Sequence, residues 1–251
     1  MFAHFPMHRI KQQFAEAKLK VLSEQARSSC GIGSLCEKIT HRILKYTYEP
    51  NDLYHEVDYY GCVADVKNGN CIYEIQTAGF ERLNSKLQKF LSECNVTVIH
   101  PIIAEKYVYR LNKETGEFSP PRKSSHKKTL FDSAYDVFKL REFISNTNFS
   151  LKILYLSVDE YKNGEKRKRY GPTDLIERIP RDIIEIFTLR YKEDYRIFIP
   201  SDMPEEFTAS DYLKATKSRS RYAYYGLRIL LFLGLAAEVG SRGRAKIYRL
   251  T

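Results

Sequence analysis

Apolar residues recur at helical spacing near the start of the chain. Ile10, Phe14, Ala17 and Val21 predict an amphipathic helix over about 8–26. Gly31-Ile32-Gly33-Ser34 interrupts it, and Ser34 with Glu37 three residues on forms a capping-box pattern. A second helix then runs to about Lys45, with Leu35, Ile39, Ile43 and Leu44 inward. The period changes to two after the loop Glu49–Asp52. Tyr54–Tyr60 alternates as a strand, and Gly61–Thr77 reads as two strands around Asn68-Gly69-Asn70, residues that accept the positive φ of a hairpin turn. A helix over 80–94, with Leu83, Leu87, Phe90 and Leu91 as its stripe, leads to an apolar β-branched strand at Val96–Ile103.

Further on, Lys106–Phe118 predicts a hairpin, Leu130–Ile144 a helix, Leu151–Tyr161 a strand and Arg181–Tyr191 a helix. From about residue 192 the elements shorten. Glu193–Ile199 predicts a helix. Thr208 caps the next one, with Asp211 at the capping-box position. A longer helix over about 219–233 buries Ala223, Leu227, Leu230 and Leu231 and stops at Gly234. Two strands, 236–239 and 245–250, flank Gly240-Ser241-Arg242-Gly243-Arg244. Helix, turn, helix and a basic glycine-rich hairpin resemble a winged helix-turn-helix. The division read from this is a domain over 1–190 and a small winged helix over 191–251.

Composition changes the picture in two ways. The 251 residues carry a net charge of +10, which points to an anionic partner, most often nucleic acid. Residues 207–251 hold nine of the cations against two acids, so +7 of the excess falls there. The five cysteines are scattered without a C-x-x-C pair, which argues against a zinc site. No apolar run reaches membrane-spanning length and the first residues lack a signal-peptide core, so the expectation is a cytoplasmic protein with no membrane partner.

The chemistry concentrates in the hairpin. Asp65 and Glu74 lie among apolar neighbours, where a carboxylate is costly unless it is paired or binds metal. Strand alternation lets the two converge, with Gln76 beside Glu74. Two carboxylates and a backbone carbonyl form a hard-oxygen set suited to Mg²⁺. Asp65, eight residues, then Glu74-Ile75-Gln76 resembles the signature of the PD-(D/E)xK nuclease superfamily, with Gln76 where the family usually has lysine. The order helix, three strands, helix, strand matches the core of that family.

The resemblance implies a restriction-endonuclease-like mixed sheet flanked by helices, an α+β or α/β fold. It also implies Mg²⁺ (or Mn²⁺) held by Asp65, Glu74 and the Ile75 carbonyl, with Glu37 and Glu56 as further candidate ligands. Gln76 would orient the attacking water, and Lys67 or Lys86 would supply the missing cation. His41 and His55 read as structural or solvent-facing. In the tail, Ser218, Arg219, Arg221, Tyr222 and Tyr225 would open a recognition helix, with Arg242 and Arg244 at the wing tip, on double-stranded DNA. The basic loops Ser119–Lys128 and Lys162–Tyr170 read either as solvated connections or as phosphate contacts. The chain is also similar, over nearly its whole length, to a set of bacterial proteins joining the Gly31–Lys38, Val63–Thr77 and Phe207–Tyr248 elements, which implies architecture and no role. The expected activity is metal-dependent DNA cleavage. A catalytically inactive DNA-binding regulator, an RNA-directed nuclease and a homodimer all stay open.

Overall fold

The computed structural model describes residues 7–27, 36–125, 127–164, 174–218 and 220–251. Two long helices come first, α1 (Met7–Arg27) and α2 (Cys36–Tyr48). The strands β1 (His55–Tyr59), β2 (Cys62–Asn68) and β3 (Cys71–Ile75) follow in series. A 3-10 turn and α3 (Asn84–Phe90) lead to the long strand β4 (Asn95–Arg110). Next come β5 (Arg122–Lys123), α4 (Ala134–Lys139), β6 (Phe149–Lys162) and β7 (Leu175–Leu189). The last stretch holds a 3-10 helix (Lys192–Phe198), β8 (Glu206–Thr208), α5 (Ala209–Ala215), a 3-10 turn (Arg221–Tyr224), α6 (Tyr225–Phe232), β9 (Ala236–Arg242) and β10 (Ala245–Leu250).

Seven strands form one mixed sheet in the order β1-β2-β3-β4-β6-β7, with β5 paired antiparallel to β4; β8-β10-β9 form a second sheet. With helices flanking the large sheet, the fold is α+β. The chain divides into two compact units. The first comprises Met1–Ile75, Ile99–Lys127 and Ile153–Ile186; the second comprises Gln76–Val98, Lys128–Lys152 and Phe187–Thr251.

The first unit is built on the predicted helical stripe. Ile10, Phe14, Ala17 and Val21 of α1 and Ile39, Ile43 and Leu44 of α2 are buried together with Ile75, Ile99, Leu154, Leu156, Val158 and Ile183 from the strands. Ser34 and Leu35 lie outside the described residues, so the predicted cap of α2 does too. Within this unit Glu160 is buried yet charged. Burial alone would raise its pKa, but Arg178 at 2.5 Å and Lys106 at 3.2 Å hold it below the ordinary carboxylate range.

In the second unit α6 packs Leu227, Ile229 and Leu230 into a core with Tyr195, Phe198, Phe207 and Tyr212. The buried Tyr212 hydroxyl donates to the Phe198 carbonyl at 2.6 Å. Gly226 makes room for it, since a Cβ there would stand 2.1 Å from that hydroxyl oxygen. The capping box at Thr208 and Asp211 forms as expected, and Gly234 at φ 61° ends α6.

Two elements differ from expectation. Arg181–Tyr191 was expected as a helix, but β7 runs as a strand through Leu189. The segment Ile183-Ile184-Glu185-Ile186-Phe187-Thr188 is rich in β-branched and aromatic residues, and a short apolar run does not tell strand from helix by period alone. Pro180 fits this, because β7 is the last strand in the order and an edge tolerates a residue with no N–H to donate. The polar loop Ser119–Lys128 contains β5, whose Arg122 and Lys123 pair with Val108 and Tyr107. Most of Lys162–Tyr170 lies outside the described residues.

Candidate functional site: an acidic row across three strands

The hairpin β2–β3 pairs Asn68 with Cys71, Lys67 with Ile72 and Val66 with Tyr73 around Gly69, which has φ 56°. One step beyond Val66 and Tyr73 stand Asp65 and Glu74. On the other side of β2, β1 pairs His55 with Val66 and Val57 with Ala64, so Glu56 lies opposite Asp65. Three acids, Glu56, Asp65 and Glu74, therefore sit abreast on three neighbouring strands.

Asp65 and Glu74 clasp each other's strands. The Ile75 N–H donates to Asp65 Oδ2 at 2.8 Å, and the Asp65 N–H donates to Glu74 Oε1 at 3.2 Å. Beyond the Val66–Tyr73 pair the carboxylates serve as acceptors, and each satisfies a main-chain donor of the opposite strand. Glu74 is 1% exposed. An ionised carboxylate so placed requires hydrogen bonds or a cation.

Helix α2 supplies two nitrogen partners. His41 Nε2 lies 3.1 Å from Asp65 Oδ2. One turn on, Lys45 Nζ donates to Glu56 Oε1 at 2.7 Å; the lysine side chain is 7% exposed and the glutamate 70%. That hydrogen bond, reinforced by the lysine charge, holds the Glu56 carboxyl below its ordinary range, while Asp65 pushes the other way. Glu56 itself sits at φ 51°, an uncommon backbone for a non-glycine residue.

His41 and Lys45 are residues that sequence reasoning did not place at the site. The signal was present: Glu37, His41 and Lys45 recur every four residues, which on a helix is one polar face. The Glu37 side chain lies outside the described residues. His55 takes a structural place, with Nε2 2.7 Å from the Glu49 carbonyl.

The other expected catalytic residues have partners or settings of their own. Lys67 donates to the Gly69 carbonyl at 3.0 Å and lies over the Tyr59 ring at 4.4 Å, so it closes the hairpin turn. Gln76 opens the second unit and donates to the Ala78 carbonyl. Lys86 lies half-buried on α3 in that unit. Among the described residues, no three His, Cys, Asp or Glu side chains are grouped to hold a metal ion. The clasp itself brings two carboxylates, Asp65 and Glu74, onto facing positions of β2 and β3.

The candidate DNA-binding residues divide. Arg242 and Arg244 are exposed at the β9–β10 turn. Arg219 lies outside the described residues. Arg221 is exposed over the Tyr222 ring at 5.2 Å. Tyr222 stacks on Tyr135 at 5.0 Å while staying 43% exposed, and Tyr225 turns in against Tyr135 and Phe138. Ser218 Oγ donates to Asp132 at 2.7 Å.

The described residues include no helix long and apolar enough to cross a membrane. A protein of Treponema pallidum (strain Nichols), described as an uncharacterized protein, is 30% identical over 212 residues, which cover 83% of each chain. No solved structure matches the chain. A family model described as a domain of unknown function (DUF8091) matches residues 38–190, the stretch that carries the whole acidic row together with His41 and Lys45. The chain belongs to this DUF8091 family.

Proposed function

We propose that the protein is a metal-dependent phosphodiesterase of the PD-(D/E)xK type, acting on duplex DNA. The observation that carries the reading is the acidic row, with Asp65 and Glu74 clasped across β2 and β3 and Glu56 abreast of them. Asp65, Glu74 and the Ile75 carbonyl would hold Mg²⁺ or Mn²⁺. Such an ion lowers the pKa of a bound water and offsets charge on the phosphate.

The chain's own residues have separate parts. The two clasp hydrogen bonds fix the carboxylates before any ligand arrives. His41 positions Asp65 through Oδ2. Lys45 holds Glu56 aside and brings a cation to the row, the charge that Gln76 cannot bring.

The finer fold readings belong to this proposal. A restriction-endonuclease-like core is supported by the order α2, β1–β3, α3, β4. A winged helix over the last sixty residues is supported by β8, α5, α6 and the β9–β10 hairpin with Arg242 and Arg244 at its turn. A cytoplasmic location goes with a DNA substrate.

A second reading, a non-catalytic DNA-binding regulator, is favoured by Lys67 and Gln76, which are engaged by local carbonyls. Purified full-length protein with supercoiled plasmid and Mg²⁺ or Mn²⁺ separates the two. The catalytic reading expects nicking or linearisation that Asp65→Asn and Glu74→Gln each abolish while leaving DNA binding intact. DNA binding without any cleavage selects the regulator. Preferential cleavage of a single-stranded RNA competitor would transfer the substrate to RNA.

A further inference from the structure

A second chemically distinct place lies in the first unit, away from the acidic row in sequence and made of cations. The strand β4 and the strap that returns along it enclose a cavity of about 530 Å³. Its lining includes Arg110, Arg122 and Lys123, the serines 119 and 124, and Pro120; among the described residues no carboxylate lines it. Such a volume suits a small ligand or one unit of a polymer, within the roughly 300–1,000 Å³ usual for binding pockets.

The strap is held in place by its own bonding. Arg122 and Lys123 form β5 against Val108 and Tyr107, the Ser124 N–H donates to the Lys106 carbonyl at 2.8 Å, and the Ser119 N–H donates to the Arg110 carbonyl at 2.8 Å. The cations are therefore presented from paired backbone.

Two of the cations are paired. Lys123 pairs with Glu105 at 2.7 Å, and Arg110 meets Asp174 at 3.6 Å and the Asn163 carbonyl at 3.4 Å. Arg122 is exposed and makes no ion pair among the described residues. A guanidinium fork beside two further cations in a concave site matches a tetrahedral dianion better than a single carboxylate.

We infer that this pocket binds a phosphoryl group, with Arg122 as its principal ligand. The ligand is a nucleotide or the backbone of a nucleic acid, which share this chemistry. The inference stands apart from the catalytic reading. A chain that binds phosphate here and cuts nothing keeps the pocket and loses only the nuclease.

The test is calorimetric titration of the full-length protein, without divalent metal, with inorganic pyrophosphate, deoxyadenosine 5′-monophosphate and a short DNA duplex. Wild type is compared with Arg122→Ala and with Lys113→Ala, which removes the same charge from the neighbouring hairpin turn. The expected result is saturable binding, weakened about tenfold by Arg122→Ala and less than about twofold by Lys113→Ala. Competition between pyrophosphate and the duplex identifies the nucleic-acid backbone as the source. Binding of the mononucleotide without competition by the duplex identifies a free nucleotide. Absence of saturable binding by all three probes, or equal weakening by the two variants, overturns the inference.

Discussion

The acidic row and the basic carboxyl-terminal region are both dense in charge, yet they are organised by different means. In the row, Glu56, Asp65 and Glu74 lie within nineteen consecutive residues, and strand alternation with a two-residue turn brings them abreast. Only α2 is added from outside the three strands. In the carboxyl-terminal region the aromatic residues take their places from α4. Tyr222 stacks on Tyr135, Tyr225 meets Tyr135 and Phe138, and Arg228 lies over Phe138 at 4.8 Å. Those partners come from about ninety residues earlier in the chain. A site assembled by local register can be read from a pattern; a surface shaped by distant packing cannot.

The largest effect expected from this difference is in the packed region. Gly226→Ala would place a methyl group on the Tyr212 hydroxyl, which already bonds the Phe198 carbonyl. Overpacking of this kind should destabilise the protein by about 3 kcal/mol, read as a lower midpoint in urea denaturation. A loss under about 0.5 kcal/mol would show that the Tyr212 side chain shifts at little cost, and the contrast with the clasp would weaken.

Next comes Glu74→Ala, which removes the acceptor of the Asp65 N–H at a position 1% exposed. An unsatisfied buried donor should cost about 2 kcal/mol in the same experiment. Glu74→Gln keeps an oxygen for that N–H and should retain most of the stability. Equal losses in both variants would mean that charge, rather than the hydrogen bond, holds the clasp.

The third effect depends on pH. The Glu56 carboxyl is held below its ordinary value of 4.5 by Lys45 in the folded protein. A lowered folded pKa contributes stability that is complete above the unfolded value and is lost as pH falls through the folded one. Wild type should therefore lose more stability than Glu56→Gln between about pH 5 and pH 3. Because the glutamate is largely exposed, screening keeps the difference small. Parallel pH curves for the two proteins would remove the Lys45–Glu56 pair from the electrostatics of the row.

The smallest effect on stability belongs to Arg242→Ala with Arg244→Ala. Both arginines are exposed at the β9–β10 turn, so the change should stay within about 0.5 kcal/mol. If they contact DNA phosphates, the slope of log affinity against log salt should fall by about two. An unchanged slope would place the phosphate contacts elsewhere, with the β4–β5 pocket as the next candidate.

Much of the first unit was legible because its elements are long and periodic. All four predicted inward residues of α1 are buried, and the hairpin turn falls at Gly69-Asn70 as its residues require. The departures have physical causes. Ile183 to Thr188 carries an apolar cluster that suits either period, and pairing in the sheet decides for strand. The strap Ser119–Lys128 looked like solvent-facing polar chain because β5 is only two residues long and its pairing partner lies in β4. His41 looked isolated because its partner, Asp65, is on a strand, whereas its helical companions Glu37 and Lys45 were the readable clue. Tyr225 looked outward because a single helix has no record of what packs on its second face.

The central claim is that Asp65 and Glu74 together bind a divalent ion. Electron paramagnetic resonance of Mn²⁺ titrated into the full-length protein measures this directly, because the signal of the free ion falls as it is bound. Wild type should take up one or more Mn²⁺ per chain, and Asp65→Asn and Glu74→Gln should each lose that uptake while keeping the wild-type circular dichroism spectrum. Wild-type uptake in both folded variants, or none in the wild type, would contradict the account.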